Sequence, residues 1–197
     1  MEKCICPGCG QEHEERKDDR SYIEILEAMP LATAFGNMEA NNKRVLDVCC
    51  GSRMFWFDKK HPDALYLDNR TLPPILQTNG ATITVAPDIV MDFRKLELPD
   101  NQFSLVVFDP PHIIKRGGKR SWMAEKYGEL DRKTWPEDIR AGLSECFRVL
   151  KVGGVLIFKW NETDILLREV LALTPHRPLF GHPSGKASKT HWVAFMK

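Results

Sequence analysis

Phe103-Ser104-Leu105-Val106-Val107-Phe108-Asp109-Pro110-Pro111-His112 is an apolar run of strand length that passes directly into a carboxylate, two prolines and an imidazole. Successive prolines remove two backbone donors and fix φ, so the strand predicted over 103–108 ends at Asp109 and leaves carbonyls free to face a cleft. The same order, apolar run then acid, occurs three times upstream. Lys43-Arg44-Val45-Leu46-Asp47-Val48-Cys49-Cys50-Gly51-Ser52 ends its run at Asp47 with a glycine turn, Ala64-Leu65-Tyr66-Leu67 ends at Asp68, and Ile89-Val90-Met91 ends at Asp92 beside Phe93. One such acid reads as a solvated strand end. Four in series predict an open α/β sheet, because the carboxyl ends of parallel strands line the ligand crevice of that architecture.

The rest of the chain fits such a sheet. Thr134-Trp135-Pro136-Glu137 reads as a capping box, followed by Ile139, Leu143, Phe147 and Leu150 at helical spacing and a stop at Gly153-Gly154. A last helix is predicted from about Thr163 to Leu173, before Pro175, and a terminal strand over Trp192–Met196. With 197 residues, 43% hydrophobic and 28% charged, the chain suits one domain with a real core. Apolar runs are too short to span a bilayer and Met1–Cys6 has no signal-peptide core, so a cytoplasmic protein without a membrane partner is expected. Six cysteines, two of them the adjacent Cys49 and Cys50, do not read as a disulfide framework, and reduced thiols are expected.

Three of these stretches resemble motifs of the class I S-adenosylmethionine-dependent amino-methyltransferases. Asp109-Pro110-Pro111-His112 is similar to the Asp/Asn/Ser-Pro-Pro-aromatic motif IV, with His112 at the aromatic position. Asp47-Val48-Cys49-Cys50-Gly51-Ser52-Arg53 is similar to the Asp-Pro-Phe-x-Gly-Ser-Gly form of motif I, with Val48 for proline and Arg53 for the last glycine. Arg148-Val149-Leu150-Lys151-Val152-Gly153-Gly154 resembles the Arg-Val-Leu-Lys-Pro-Gly-Gly helix-to-strand junction. The likeness covers about residues 40 to 197. It implies a Rossmann-like sheet, mostly parallel with an antiparallel terminal strand.

The resemblance also implies roles. Asp109 and the Pro110 carbonyl would accept the two N–H hydrogens of an exocyclic base amine as its nitrogen pyramidalises, with Pro111 shaping the loop and His112 stacking on the base. The turn holding Asp47, Cys49 and Gly51 would approach S-adenosylmethionine and open onto a helix. Asp68 would accept the ribose hydroxyls, and Asp92 the adenine amine, with Phe93 against the ring. The implied reaction is methylation of a base amine, N6 of adenine in DNA first, as in small stand-alone bacterial and phage DNA methyltransferases. The alternatives are an RNA adenine or guanine amino-methyltransferase, and a non-catalytic nucleic-acid-binding or scaffold subunit with a degenerate cofactor site.

Net charge is +1, so any attraction to nucleic acid must be local. Lys115, Arg116, Lys119 and Arg120 follow motif IV with Trp122 close by, and Lys186 and Lys189 lie before the terminal strand. Basic loops with aromatics suit phosphates and a displaced base. No long target-recognition region follows motif IV, so target recognition is expected to be short, weak, or supplied by a protein partner. Residues 1–20 form a Cys-rich appendage ahead of the domain over 21–197, with a helix expected from Arg20 to near Pro30. In it Cys6-Pro7-Gly8-Cys9 is a knuckle that Cys4 and His13 could complete as one structural zinc site.

Overall fold

The computed structural model describes residues 3–5, 12–14, 42–76, 80, 82–115 and 122–197, in two units, Met1–Glu39 and Ala40–Lys197. The first unit contains strands β1 (Lys3–Ile5) and β2 (Glu12–Glu14), an antiparallel pair in which Cys4 is registered with His13. Cys6, Cys9 and the helix expected near Arg20–Pro30 lie outside the described residues.

The second unit is built on strands β3 (Val45–Asp47), β4 (Ala64–Asp68), β5 (Leu72–Leu76), β6 (Thr82–Val85), β7 (Ile89–Val90), β8 (Phe103–Phe108), β9 (Leu150–Asn161), β10 (Phe180–Ser184) and β11 (Thr190–Met196). Its helices are α1 (Trp122–Tyr127), α2 (Trp135–Val149) and α3 (Leu167–Leu171). Seven strands form one sheet in the order β10-β11-β9-β8-β3-β4-β7. Neighbours from β7 to β9 are parallel, while β11 is antiparallel to both β9 and β10. This is the expected Rossmann-like sheet with its reversed terminal strand. The register sets Asp47 beside Tyr66 and Val107, so the carboxyl ends of β3, β4 and β8 finish together.

Burial follows the sequence pattern. β4 is buried along its whole length, as a central parallel strand covered on both faces should be. α2 buries Ile139, Leu143, Cys146, Phe147 and Val149 on one stripe, against a core that includes the fully buried Phe103, Phe108, Phe158, Trp160 and Phe195. No helix among the described residues is long and apolar enough to cross a membrane.

Three local expectations are corrected. Residues 48–63, between β3 and β4, form turns instead of the helix expected after motif I. Gly51 and Arg53 both take left-handed φ, 49° and 54°, which interrupts any helical run. Thr134 makes no capping bond to the backbone; its hydroxyl donates to Asp138 Oδ2 at 2.9 Å. α3 is five residues long, because Asn161 Oδ1 accepts from both the amide and the hydroxyl of Thr163 and holds that segment in a turn. The β5–β6 hairpin has no forecast in the sequence pattern, since Pro73 and Pro74 argue against a strand there.

Candidate active site

One cavity opens at the carboxyl ends of β3, β4 and β8, enclosing about 750 Å³ with its open mouth. Its wall combines the turn after β3 (Cys49, Cys50, Gly51, Ser52) with Asp68 and with Asp109, Pro110, Pro111 and His112. Phe93 also reaches it, from a core position against Phe108. Two stretches 58 residues apart in sequence therefore share a single space.

Gly51 is the open point of the turn. Its φ of 49° suits glycine, and a Cβ built there meets nothing within 4 Å, so a ligand can reach the backbone. Its amide donates to Asp68 Oδ2 at 3.0 Å, tying the turn to the end of β4. Arg53 points elsewhere: its guanidinium lies 3.7 Å from the centre of the Tyr66 ring and donates to Asp88 and to the carbonyls of Lys59 and Ala86. It anchors the turn from outside the cavity.

The acids differ in what already holds them. Asp68 accepts from the backbone N and Nε of Arg70 at 3.0 and 3.1 Å, and more weakly from Nη2 at 3.4 Å. Asp92 is not on the cavity wall; Arg94 grips it through its amide and guanidinium and also bonds Asp138 of α2. Hydrogen bonding from Arg94 holds the Asp92 carboxyl below its ordinary range. Asp47 is off the wall too, 1% exposed, with Oδ2 accepting from Trp56 Nε1 at 2.8 Å. Burial pushes its carboxyl up to about 7.

Asp109 and His112 are set by burial and by one cation. Lys159 Nζ donates to Asp109 Oδ2 at 2.9 Å. Burial raises the Asp109 carboxyl and the Lys159 charge opposes that rise. Burial first, and Lys159 second, lower the His112 imidazole to about 4, so the ring is neutral near pH 7. It sits 6.2 Å from the Tyr127 ring and 6.3 Å, edge-on, from Trp160. Burial keeps the thiols of Cys49 and Cys50 protonated, the latter pushed up to about 12, which removes them as nucleophiles.

No family model matches the chain, and no curated protein matches it by sequence. Among solved structures it is similar to the PH0226 protein of Pyrococcus horikoshii OT3, at 16% identity over 92% of both chains and a TM-score of 0.49. It is similar to a TehB-like SAM-dependent methyltransferase of Corynebacterium glutamicum, at 13% identity over 90% of this chain and 94% of the other, with a TM-score of 0.47. A third likeness is to the 1,6-didemethyltoxoflavin-N1-methyltransferase of Burkholderia thailandensis, solved with 1,6-didemethyltoxoflavin and S-adenosylhomocysteine, at 12% identity over 91% and 82% and a TM-score of 0.48. The fold assignment rests on strand order and register.

The sequence pattern left several wall residues unmarked: Met54, Phe55, Asn69, Arg70 and Lys126. Lys159 was missed as well, although a lysine inside the buried run Ile157-Phe158-Lys159-Trp160 is itself a signal, since lysine is seldom buried unpaired. Of the basic residues, Lys115 and Lys189 are exposed. Arg116, Lys119 and Arg120 lie outside the described residues, as do the side chains of Trp122 and Lys186 and of Cys4 and His13. Among the described residues no three His, Cys, Asp or Glu side chains are grouped to hold a metal.

Proposed function

We propose that this chain transfers a methyl group from S-adenosylmethionine to an exocyclic base amine, N6 of adenine in DNA being the first choice. The observation that carries the reading is the single cavity in which the Gly51 turn and Asp68 meet Asp109-Pro110-Pro111-His112. When bound, S-adenosylmethionine would supply an activated methyl group to the amine, with the sulfur as leaving group, and the amine would give up one proton to water. Asp109 and the Pro110 carbonyl accept the amine hydrogens, which localises the lone pair as the nitrogen becomes tetrahedral. His112, neutral near pH 7, serves as a ring to stack on and places no second positive charge beside the methyl donor.

The residues fit that cofactor in two places and crowd it in one. The space over Gly51 admits a ligand to the backbone, and Phe93 lies on the same wall. Asp68 is the crowded point. A carboxylate has about four acceptor positions, and the Gly51 amide and two Arg70 nitrogens take three of them. Two ribose hydroxyls therefore require the Arg70 side chain to leave Asp68.

The crowding favours a second reading, a nucleic-acid-binding subunit that does not turn over. Calorimetry with S-adenosylhomocysteine separates the two: micromolar binding supports the enzyme, and no binding supports the subunit. Mass spectrometry of nucleosides from DNA and RNA of cells with and without the gene then names base and polymer. Methylated bases found only in RNA would move the substrate to the RNA alternative. One zinc on Cys4, Cys6, Cys9 and His13, a partner for target recognition and a cytoplasmic location belong to the same proposal. Elemental analysis of the purified protein tests the zinc.

A further inference from the structure

Lys159 stands behind the cavity, not on its wall. Parallel pairing registers Val107 with Ile157 and Phe108 with Phe158, and the next step along both strands brings Asp109 alongside Lys159. The pair is well sheltered, with side chains 16% and 20% exposed. The ammonium is further enclosed by the Phe55 ring at 4.6 Å and the Trp192 ring at 5.7 Å, which pack edge-on at 5.0 Å from each other. Phe55 belongs to the turn after motif I and lines the cavity, while Trp192 comes from β11. Three separate parts of the fold thus converge on one cation, whose only ionic partner among the described residues is Asp109.

We infer that Lys159 is a positioning residue, which keeps the Asp109 carboxylate charged and fixed at the cavity wall so that it can accept a hydrogen from the substrate amine. This rests on the methyl-transfer reading above. A protonated Asp109 would spend an oxygen on its own proton and lose the charge that favours the developing positive nitrogen. Burial drives Asp109 towards that form and the neighbouring ammonium opposes it. The other titratable groups nearby do not replace Lys159. Asp47 and Cys49, at the end of β3, bring no positive charge. Arg70 is engaged by Asp68, Lys126 lies over the Tyr127 ring, and His112 is neutral near pH 7.

The test reads Asp109 directly. Protein carrying ¹³C-labelled aspartate carboxyls is titrated by NMR as wild type, Lys159→Met and Lys159→Arg, with Asp109→Asn assigning the resonance. Lys159→Met should move the Asp109 midpoint to higher pH, and Lys159→Arg should hold it near the wild-type value. Methyl transfer should then fall by roughly 10- to 100-fold at pH 7 in Lys159→Met and recover on the alkaline side, with Lys159→Arg close to wild type. If Lys159→Met does not fold, Lys159→Gln takes its place in both measurements. An Asp109 midpoint that is the same with and without the lysine overturns the inference, whatever the activity. Wild-type protein that binds no S-adenosylhomocysteine overturns the reading beneath it, while the titration still decides the pairing.

Discussion

Asp47→Asn should make the protein more stable, and by more at higher pH. Asp47 is 1% exposed, and its Oδ1 is buried without a partner among the described residues. Burial raises its carboxyl from 3.8 to about 7. A raised folded-state value means that the native protein takes up the proton more readily than the unfolded chain. Folding stability therefore falls as pH rises from about 4 to about 7, by 1.36 kcal/mol per unit, or roughly 4 kcal/mol over the whole window. Asparagine keeps an oxygen for Trp56 Nε1 and carries no charge, so the difference between variant and wild type isolates this one group. Urea unfolding at half-unit steps between pH 5 and 8.5 should show the advantage of Asp47→Asn growing by about 2–3 kcal/mol and levelling off above pH 7. A difference that stays flat across the range would refute the reasoning. Because Asp47 lies off the cavity wall, S-adenosylhomocysteine affinity should change by less than about twofold, and a large loss would return Asp47 to the cofactor site.

Gly142→Ala should destabilise despite better helix propensity, because the new Cβ would lie 2.6 Å from Phe93 and 2.7 Å from Phe108. Overpacking of about 1–3 kcal/mol outweighs the roughly 1 kcal/mol gained in α2, and urea unfolding measures the net loss. Gly51→Val should abolish S-adenosylhomocysteine binding by calorimetry, since the added atoms enter open cavity space, and should also cost about 1–2 kcal/mol of fold stability, because a β-branched residue is strained at a φ of 49°. Arg70→Gln should tighten cofactor binding by several-fold, as it frees Asp68 for the ribose; weaker binding would place Arg70 among the cofactor's own contacts. His112→Ala should weaken substrate binding by about 1–3 kcal/mol, while His112→Tyr retains it. With the imidazole lowered to about 4, no step in the rate near pH 6.5 should belong to His112.

The alternation of apolar run and acid was enough to read the sheet, because each parallel strand must be covered on both faces and can end only where a polar group meets the crevice. It could not report what joins the strands. The motif I resemblance carries an expectation of a helix, yet Arg53 takes the left-handed conformation at the position of the motif's last glycine. Phe55 and Trp56 then go in different directions, one to Lys159 and Trp192, the other to Asp47 and Tyr66. Aromatic anchors that serve separate partners hold a turn where a helix would align them on one cylinder. Such partners are tertiary and leave no periodic trace.

The strand-end acids themselves divide according to the two residues next in the chain. Asp68-Asn69-Arg70 and Asp92-Phe93-Arg94 share the pattern Asp-x-Arg, and in both the carboxylate accepts the backbone N–H two residues on and then the guanidinium of the same arginine. An acid in that context satisfies itself within three residues, so its place at a strand end does not by itself offer it to a ligand. Asp109 cannot do this. The positions after it are Pro110 and Pro111, neither of which has an N–H to donate. The two-residues-on donor that serves Asp68 and Asp92 is therefore closed to its carboxylate, and one oxygen accepts from Lys159 across the sheet. The double proline thus does more than stiffen the loop: by denying Asp109 a local partner, it leaves the carboxylate dependent on one distant cation and available to an amine in the cavity.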